Sequence, residues 1–458
     1  MRTPMLGRMR DRLLGGLEAA RRLGASAARR SFEQRERIGG TFENGRLKAT
    51  HSNQNLAFQV EAVVRGKRAA TTGNRPDEVA EMVGRAVTLA QLGSAAHFDA
   101  YPAPAPVAAV PTWSERTMGL PRQGLIEACR AICDRLRAYD RDLYLEAGAH
   151  RSEAEGLLVT SGGVCHETRH TFWSLGAWAQ RTRGTDMVFA GEGRAWKDLN
   201  DLWDPEAIAG ETVEDLRRSE SGAEAPSGPT AALLAPPVLG MLLQAVILGV
   251  SGRNVAKGDS PLKGRLGERI LDPSITLHDN PHLAYAPGSA EMDADGIPTR
   301  PLTIVREGVL EAFLYDLDSA GLAGARPTGH TGCSPWSAEV LAGPEPHERL
   351  LSSIEDGLYV KGLIGFGQSN LINGDFSANV ALGWRVRGGR TVGRVKNVMI
   401  AGNVYELLRS GVALSRDRHP VARLPWARVE GLSVSAAPAG NDSRNHFPRR
   451  DPKVAPQK

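Results

Sequence analysis

The pattern of apolar and polar residues divides the first half of the chain into three long helices and a set of strands. Apolar residues recur every three or four positions in 11–24, 78–92 and 120–139, which predicts amphipathic helices. Helical pieces are also predicted near 205–218. Alternating segments predict strands, with an Asn44-Gly45 hairpin turn between two of them. The predicted strands are 31–37, 38–43, 47–52, 56–65, 68–72, 143–152, 157–160 and 168–181.

Two stretches that are poor in apolar periodicity interrupt this pattern. The proline-alternating segment 101–111 is extended and cannot form a helix. The polar, Gly/Pro-rich segment 219–229 is typical of a linker. We therefore predict an N-terminal domain in 1–225 and a C-terminal domain in 226–435. The polar, Pro-rich segment that follows predicts a disordered tail in 436–458.

The C-terminal half opens with the most apolar run of the chain, a predicted core helix in 238–248. Pro236 and Pro237 suit its first turn, and Gly249 is suited to its end. About twelve residues at 1.5 Å each give roughly 18 Å, too short for ~30 Å of hydrocarbon. The rest is strand-rich, and a helix is predicted to start at Asp316. Further strands are predicted in 275–278, 301–306, 309–315, 358–366, 378–387, 391–395 and 398–401, and helices in 350–356 and 404–411.

These patterns predict an α+β fold, with an antiparallel N-terminal sheet with long helices and a β-rich C-terminal domain built around the apolar helix. A net charge of +4 over 458 residues, without a clustered basic stripe, argues against nucleic-acid binding. The four cysteines form no C-x-x-C pair, which fits a reducing cytoplasm. The N-terminal arginines flank leucines at helical spacing, so we interpret this segment as the first helix of the fold and expect no membrane association.

Three short motifs have the residue types of metal sites. His166-Glu167-Thr168-Arg169-His170 spells H-E-x-x-H, but its neighbours favour a strand, where positions i and i+4 stand roughly 13 Å apart. One zinc with ligands at ~2.1 Å cannot span that distance. The 293–296 segment lacks the remaining ligands of a calcium loop, and 328–333 offers only His330 and Cys333. We predict a strand, a turn and a loop respectively.

The segment after the apolar helix resembles the TldD/PmbA family, which is described both as modulators of DNA gyrase and as metallopeptidase subunits. Its family pattern, K-G-(T/S)-S-x-(x)-x-G-x-x-G, is matched by Lys257, Gly258, Ser260, Gly264 and Gly267. The motifs D-x-D-G, E-G-V-L, T-G-H, G-D-F-S and I-A-G-N then follow in the family's order. The resemblance covers about residues 10–435.

The catalytic TldD branch carries His-Glu-x-x-x-His on this helix. The matched register places its histidines on Leu243 and Leu248, and its glutamate on Gln244. Leucine has no lone pair for zinc, and glutamine cannot act as an ionisable base. The branch also takes a cysteine ligand from its C-terminal strands, and this chain has no cysteine after Cys333. The chain is therefore similar to the zinc-free PmbA (TldE) branch.

The resemblance implies a PmbA-like subunit that lacks catalytic residues, metal and cofactor of its own. It would act in the cytoplasm with a TldD-like catalytic subunit, which supplies the zinc, on small or unfolded peptides held by strand addition. The candidate peptide-cleft residues are Gly374, Asp375, Phe376, Gly402 and Asn403. Two alternatives stay open: a self-sufficient metallopeptidase that uses His166 and His170 or other histidines, and a non-enzymatic peptide-binding protein.

Overall fold

The structure, a computed structural model, describes residues 4–368 and 370–436, and the predicted α+β class is confirmed. The predicted tail lies outside these residues except for Ala436, which ends the last strand. The helices are α1 Pro4–Arg22, α2 Val79–Ala90, α3 Glu115–Gly119, α4 Arg122–Tyr139, α5 Pro205–Arg218, α6 Pro236–Val250, α7 Gly252–Lys257, α8 Leu317–Ala323, α9 His347–Ser352 and α10 Val404–Leu407. The strands are β1 Ala27–Glu43, β2 Arg46–Val64, β3 Lys67–Gly73, β4 Ser94–Ala95, β5 Tyr144–Thr160, β6 Cys165–Arg183, β7 Asp186–Trp196, β8 Gly228–Leu234, β9 Leu277–Asp279, β10 Leu302–Arg306, β11 Val309–Leu310, β12 Ala338–Val340, β13 Asp356–Ile364, β14 Asp375–Arg387, β15 Arg390–Arg394, β16 Val398–Asn403, β17 Ala413–Arg418 and β18 Pro425–Ala436.

The N-terminal sheet has seven antiparallel strands in the order β4-β3-β2-β1-β5-β6-β7. Its apolar face packs against α1 and α2 at one end and against α4 and α5 at the other. Phe32 on β1, Val60 on β2 and Leu157 on β5 belong to this buried face. Because side chains alternate along a strand, the neighbouring residues point to the opposite, polar face. That face is turned toward part of the C-terminal half, and a cavity lies between them.

The C-terminal strands close on themselves. β13, β8, β18, β16 and β14 pair in that order, and β14 pairs again with β13, so the five pairings form a ring. α6 packs against this ring, and its side chains share one core with the strands. A second, four-stranded sheet has the order β11-β10-β9-β12. The predicted domain boundary falls just before β8 and stays a prediction.

Several predicted boundaries are wrong. The strands predicted in 31–37 and 38–43 are one strand, β1, and those in 143–152 and 157–160 are also one, because each pairs along its length with neighbours on both sides. The elements α3, β4 and β7 were not predicted. The C-terminal prediction missed α7, β8, β12, β17 and β18, placed α9 too late, and made β11 and α10 too long. Within 4–368 and 370–436, no helix combines the length and the apolarity that crossing a membrane requires.

Candidate functional site

The three residues that the predicted register assigns to the metal positions of the catalytic branch lie on α6, but they do not share one environment. Leu243 is 2% exposed and belongs to the C-terminal core. Gln244 is exposed, and Leu248 is 37% exposed. The segment 238–248 was expected to be a core helix. It is one on the face that carries Leu243, but the face that carries Gln244 and Leu248 is exposed. Gln244 and Leu248 are four residues apart and so share a helix face that is open to solvent.

The C-terminal end of α6 is held by side chains from three other segments. The Tyr405 hydroxyl donates to the carbonyl oxygen of Ala245 at 3.0 Å. The Asn254 amide donates to the Leu248 carbonyl oxygen at 2.9 Å, and the Ser260 hydroxyl donates to that of Gly249. Leu248 and Gly249 lie in the last turn, whose carbonyl oxygens have no N–H four residues further along the helix, so two of these bonds supply side-chain donors there. The Tyr405 bond reaches a carbonyl one turn earlier.

The motif that fixes the family register has a structural role here. Lys257 ends α7, and Gly258 follows it in the left-handed region with φ +86°. Gly264 and Gly267 also have positive φ, +81° and +82°, which glycine adopts at little cost. Ser260 ties the segment to α6. The matched residues therefore shape the loop that packs against α6 and bring no metal ligand to it.

A catalytic zinc does not fit the side chains at these α6 positions. Such a site needs three protein ligands with lone pairs and an open coordination position. Leu243 and Leu248 offer only alkyl groups, and the Gln244 amide cannot accept a proton from bound water. We derive no chemical step through a metal at α6.

The candidate cleft residues come together where β14 and β16 pair. Asp375 lies opposite Asn403, and Phe376 lies opposite Gly402. The Asn403 amide donates to the Asn373 carbonyl oxygen and to Asp375 Oδ1, both at 2.9 Å, while its own oxygen caps α10. The Phe376 side chain is 3% exposed and packs in the core. Asn403 thus organises the start of β14.

Beside this pairing lies an open hollow of about 430 Å³. Asp375 and Phe376 contribute to its wall, whereas Gly374, Gly402 and Asn403 lie outside it. Ile364 is 63% exposed and Met399 is 42% exposed, and both line the hollow. The pairing of β13 with β14 ends at Ile364 opposite Asn379, so no described strand covers this edge of β14 between 375 and 378.

The two histidines of the H-E-x-x-H motif lie on β6, as predicted. His166 Nε2 is 3.5 Å from Glu291 Oε2. His170 lies on the same face of the sheet, and burial, with nearby Lys197 and Arg35, lowers its pKa to about 4. On a strand the two histidines stand roughly 13 Å apart, so they do not form one zinc site.

His330 and Cys333 are held by hydrogen bonds in a buried loop. His330 is 1% exposed. Its Nε2 contacts Asp279 Oδ2 and its Nδ1 contacts Thr328 Oγ1, both at 2.9 Å. Cys333 Sγ lies 3.2 Å from Ser319 Oγ. Both imidazole nitrogens have protein partners, so this loop offers no open ligand.

One further group of metal-ligand types, His347, Glu348 and Asp417, was not predicted, because Asp417 is about 70 residues from the other two. Their ligand atoms lie within 4.8 Å of one another, and in the described part of the chain it is the one group of at least three that meets this distance. His347 Nδ1 already bonds Asp417 Oδ2 at 2.5 Å, and its ring stacks on Trp426 at 4.4 Å. These contacts explain the arrangement as a hydrogen-bonded surface pair.

Comparison with known proteins supports the family at the level of sequence and of fold. Residues 227–436 match a family model described as the PmbA/TldA metallopeptidase C-terminal domain. The chain is 28% identical over 308 residues to metalloprotease PmbA of Escherichia coli O157:H7, covering 65% of this chain and 66% of that protein. It is 26% identical over 277 residues to a metalloprotease of Methanothermobacter thermautotrophicus, covering 58% and 61%. The matched part thus spans less than two thirds of each relative.

The solved structure of TldE from Thermococcus kodakarensis superposes with a TM-score of 0.82 at 19% identity. The superposition covers 92% of this chain and 99% of that one. At this identity the likeness concerns the fold. It extends through both halves of the chain, whereas the family model covers the C-terminal half alone.

Proposed function

Because the chain belongs to the TldD/PmbA family, we propose that it is a PmbA-like subunit of a metallopeptidase that acts on small or unfolded peptides. The observation that carries this proposal is the set of side chains on α6. Leu243, Gln244 and Leu248 stand where the catalytic branch has two zinc ligands and a general base. A TldD-like partner would therefore supply the zinc, the base and the attacking water.

The contribution of this chain would be to hold the peptide. The edge of β14 between 375 and 378, which no described strand pairs with, can hydrogen-bond an extended peptide as an added strand. The exposed side chains of Ile364 and Met399 offer apolar contacts beside that edge. This mode suits unfolded peptides, because it recognises backbone groups that every sequence carries.

A subunit of this kind must form a stable complex with its catalytic partner. A specific interface buries upward of ~1,200 Å² in total. Size-exclusion chromatography with light scattering on an equimolar mixture would measure the complex. We expect one species with the summed mass of the two chains. Metal analysis of each chain purified alone should find the zinc in the TldD-like partner.

The decisive experiment is a peptide-cleavage assay on each chain alone and on the pair, with and without a chelator. We expect chelator-sensitive cleavage from the pair, and none from this chain alone. Chelator-sensitive cleavage by this chain alone would overturn the assignment.

A matched pair of variants tests the peptide surface. Met399→Glu places a charge in the hollow, and Val392→Glu changes an exposed apolar residue on β15 that lies outside it. We expect Met399→Glu to raise the KM of the pair about tenfold, which is roughly the effect of losing one apolar contact with the peptide. Val392→Glu should leave KM unchanged. Equal effects of the two variants would argue against a peptide at β14.

A further inference from the structure

A second cavity, of about 640 Å³, lies between the polar face of the N-terminal sheet and a C-terminal loop. Its floor is formed by β2, β1, β5 and β6, and its roof includes 287–292 and Trp336. It is distinct from the hollow beside β14, and the two share no lining residue.

The strand register lines up polar side chains across the floor. One row runs straight across four strands through Asn53, Arg37, Ser152 and Phe172. Directly opposite residues in neighbouring strands have Cβ atoms ~4.5–5.5 Å apart. The row therefore presents an amide, a guanidinium, a hydroxyl and an aromatic ring side by side on one face.

The adjacent row contributes Arg35 and His170, with Lys197 close to them. Arg35 is compensated, because its guanidinium lies 3.0 Å from Glu33 Oε1. Lys197 is 6% exposed, and its ammonium donates to the carbonyl oxygen and the hydroxyl of Ser289 at 2.5 and 3.0 Å. Burial lowers the pKa of Lys197 to about 8, so it still carries a proton in the larger part of the population at neutral pH.

Two of the cations in this cavity have no carboxylate partner within 4.0 Å in the described chain. They are Lys197 and Arg37, whose Nη2 contacts His150 Nδ1 at 3.0 Å instead. The acid in the lining, Glu291, accepts a hydrogen bond from the backbone N–H of Val110 at 3.1 Å. Its other oxygen lies 3.5 Å from Nε2 of His166, whose pKa burial lowers. A buried ammonium without a counter-charge is costly, and a bound anion removes that cost.

The neighbouring imidazoles do not add to the positive charge. Burial is the largest cause that lowers the pKa of both His150 and His170 to about 4. Arg37 and His51 act on the first ring, and Lys197 and Arg35 act on the second. Both rings are neutral at physiological pH and can serve as hydrogen-bonding groups. Among the described lining residues, Arg37 and Lys197 are therefore the cations without a carboxylate partner, and Glu291 is the acid that opposes them.

We propose that this cavity binds a carboxylate of the peptide, at Arg37 and Lys197. The proposal rests on the proposed function and names its substrate class: peptides with a free terminal or side-chain carboxylate. A planar guanidinium fork matches a carboxylate, and Asn53 and Ser152 stand beside it in the same row. Phe172 gives the residue that bears the carboxylate an apolar wall.

The lining favours a carboxylate over a phosphate. Phosphate sites in proteins are built from converging backbone N–H groups at a helix N-terminus or a glycine nest. None of the described residues that line this cavity begins a helix, and the N–H groups of Ser289 and Ala290 are bonded to Ala286 and Pro281. The donors here are side chains spread over a flat sheet, which suits an extended peptide.

The test is fluorescence polarisation on the isolated chain with a labelled alanine-rich hexapeptide, prepared with a free carboxylate and as the C-terminal amide. A second pair of amidated peptides carries an internal glutamate or glutamine, which separates a terminal from a side-chain carboxylate. We expect at least one acid to bind about tenfold to a hundredfold more tightly than its neutral counterpart. Equal binding within both pairs would overturn the proposal.

Variants locate the effect. Arg37→Gln and Lys197→Met should each abolish the preference for the acid, while Arg183→Gln, an exposed arginine on β6 outside the cavity, should retain it. Arg37 is exposed, so its substitution leaves the core intact. An acid preference that survives Arg37→Gln would contradict the assignment, and so would displacement by inorganic phosphate at lower concentration than by acetate.

The same peptides, given to the pair, separate this proposal from the proposed function. Cleavage with the same KM for acid and neutral peptides would overturn the carboxylate site alone. Selective binding of the acid without any cleavage by the pair would overturn the peptidase assignment alone.

Discussion

Three substitutions on α6, Leu243→His, Gln244→Glu and Leu248→His, introduce the metal-site residues of the catalytic branch. We expect only the first of them to destabilise the chain strongly. Leu243→His replaces a side chain that is 2% exposed. It loses the burial of a leucine, worth about 1.5–3 kcal/mol, and buries an imidazole without a partner, which costs about 1–3 kcal/mol more. We therefore expect a loss of about 2.5–6 kcal/mol, a large part of the ~5–15 kcal/mol that holds a typical domain folded.

The other two substitutions lie on the open side of the helix. Gln244→Glu and Leu248→His should each change the free energy of unfolding by less than about 1 kcal/mol, because surface substitutions have small effects. The triple variant should therefore be about as unstable as Leu243→His alone. Equilibrium unfolding in urea, followed by tryptophan fluorescence, gives the free energy of unfolding of the three single variants, the triple variant and the wild type.

Two results would refute this reasoning. The first is a Leu243→His variant as stable as the wild type, since that would mean position 243 is not packed as described. The second is a triple variant that gains stability on addition of zinc and cleaves peptides alone. That outcome would show that two histidines and a glutamate suffice on this helix without a third protein ligand.

Three further predictions concern groups away from α6. Burial, together with the nearby Asp295 carboxylate, raises the pKa of Asp293 from 3.8 to about 7. Between about pH 4 and pH 7 the native state therefore keeps a proton that the unfolded state has released. The free energy of unfolding falls as the pH rises through this range. Asp293→Asn, which mimics the neutral acid, should gain about 3 kcal/mol over wild type between about pH 5 and pH 8 in urea titrations; a constant difference would count against it. His166→Ala combined with His170→Ala should leave the metal content of the purified chain, measured by mass spectrometry, unchanged, and loss of one bound zinc would contradict the strand geometry. Gly249→Ala puts a methyl group about 2.4 Å from the Tyr405 hydroxyl and should lower the thermal midpoint by several degrees, whereas an unchanged midpoint would mean that the tyrosine moves freely.

The fold class follows from local pattern, but the length of individual strands does not. The alternation in β6 and its Thr, Phe and Trp residues were enough to place His166 and His170 on a strand. In β1, Gly39 and Gly40 are weak strand formers, and pairing with β2 and β5 on both sides overrides this weakness. In β7 the inward positions include the small Ala190, so its hydrophobic alternation is faint.

The sequence contains a signal for the solvent-exposed side of α6. Gln244 is the one polar residue between Pro236 and Val250, and Leu248 follows it by four residues on the same face. Treating the run as uniformly apolar hid this signal. The carboxylate cavity left no comparable trace, because Arg37, Asn53, Ser152 and Lys197 are far apart in the chain. Only the strand register brings them into one cavity.

The packing of Leu243 on α6 needs no metal. A histidine at 243 would lie in the core, where an imidazole needs a metal or another partner to offset the loss of hydration. Leucine at that position instead packs with the ring of strands and contributes its burial to the stability of the helix. Positions 244 and 248 face outward and impose no such requirement. Of the three α6 positions, Leu243 is therefore the one at which the histidine of the catalytic branch should cost this domain the most stability.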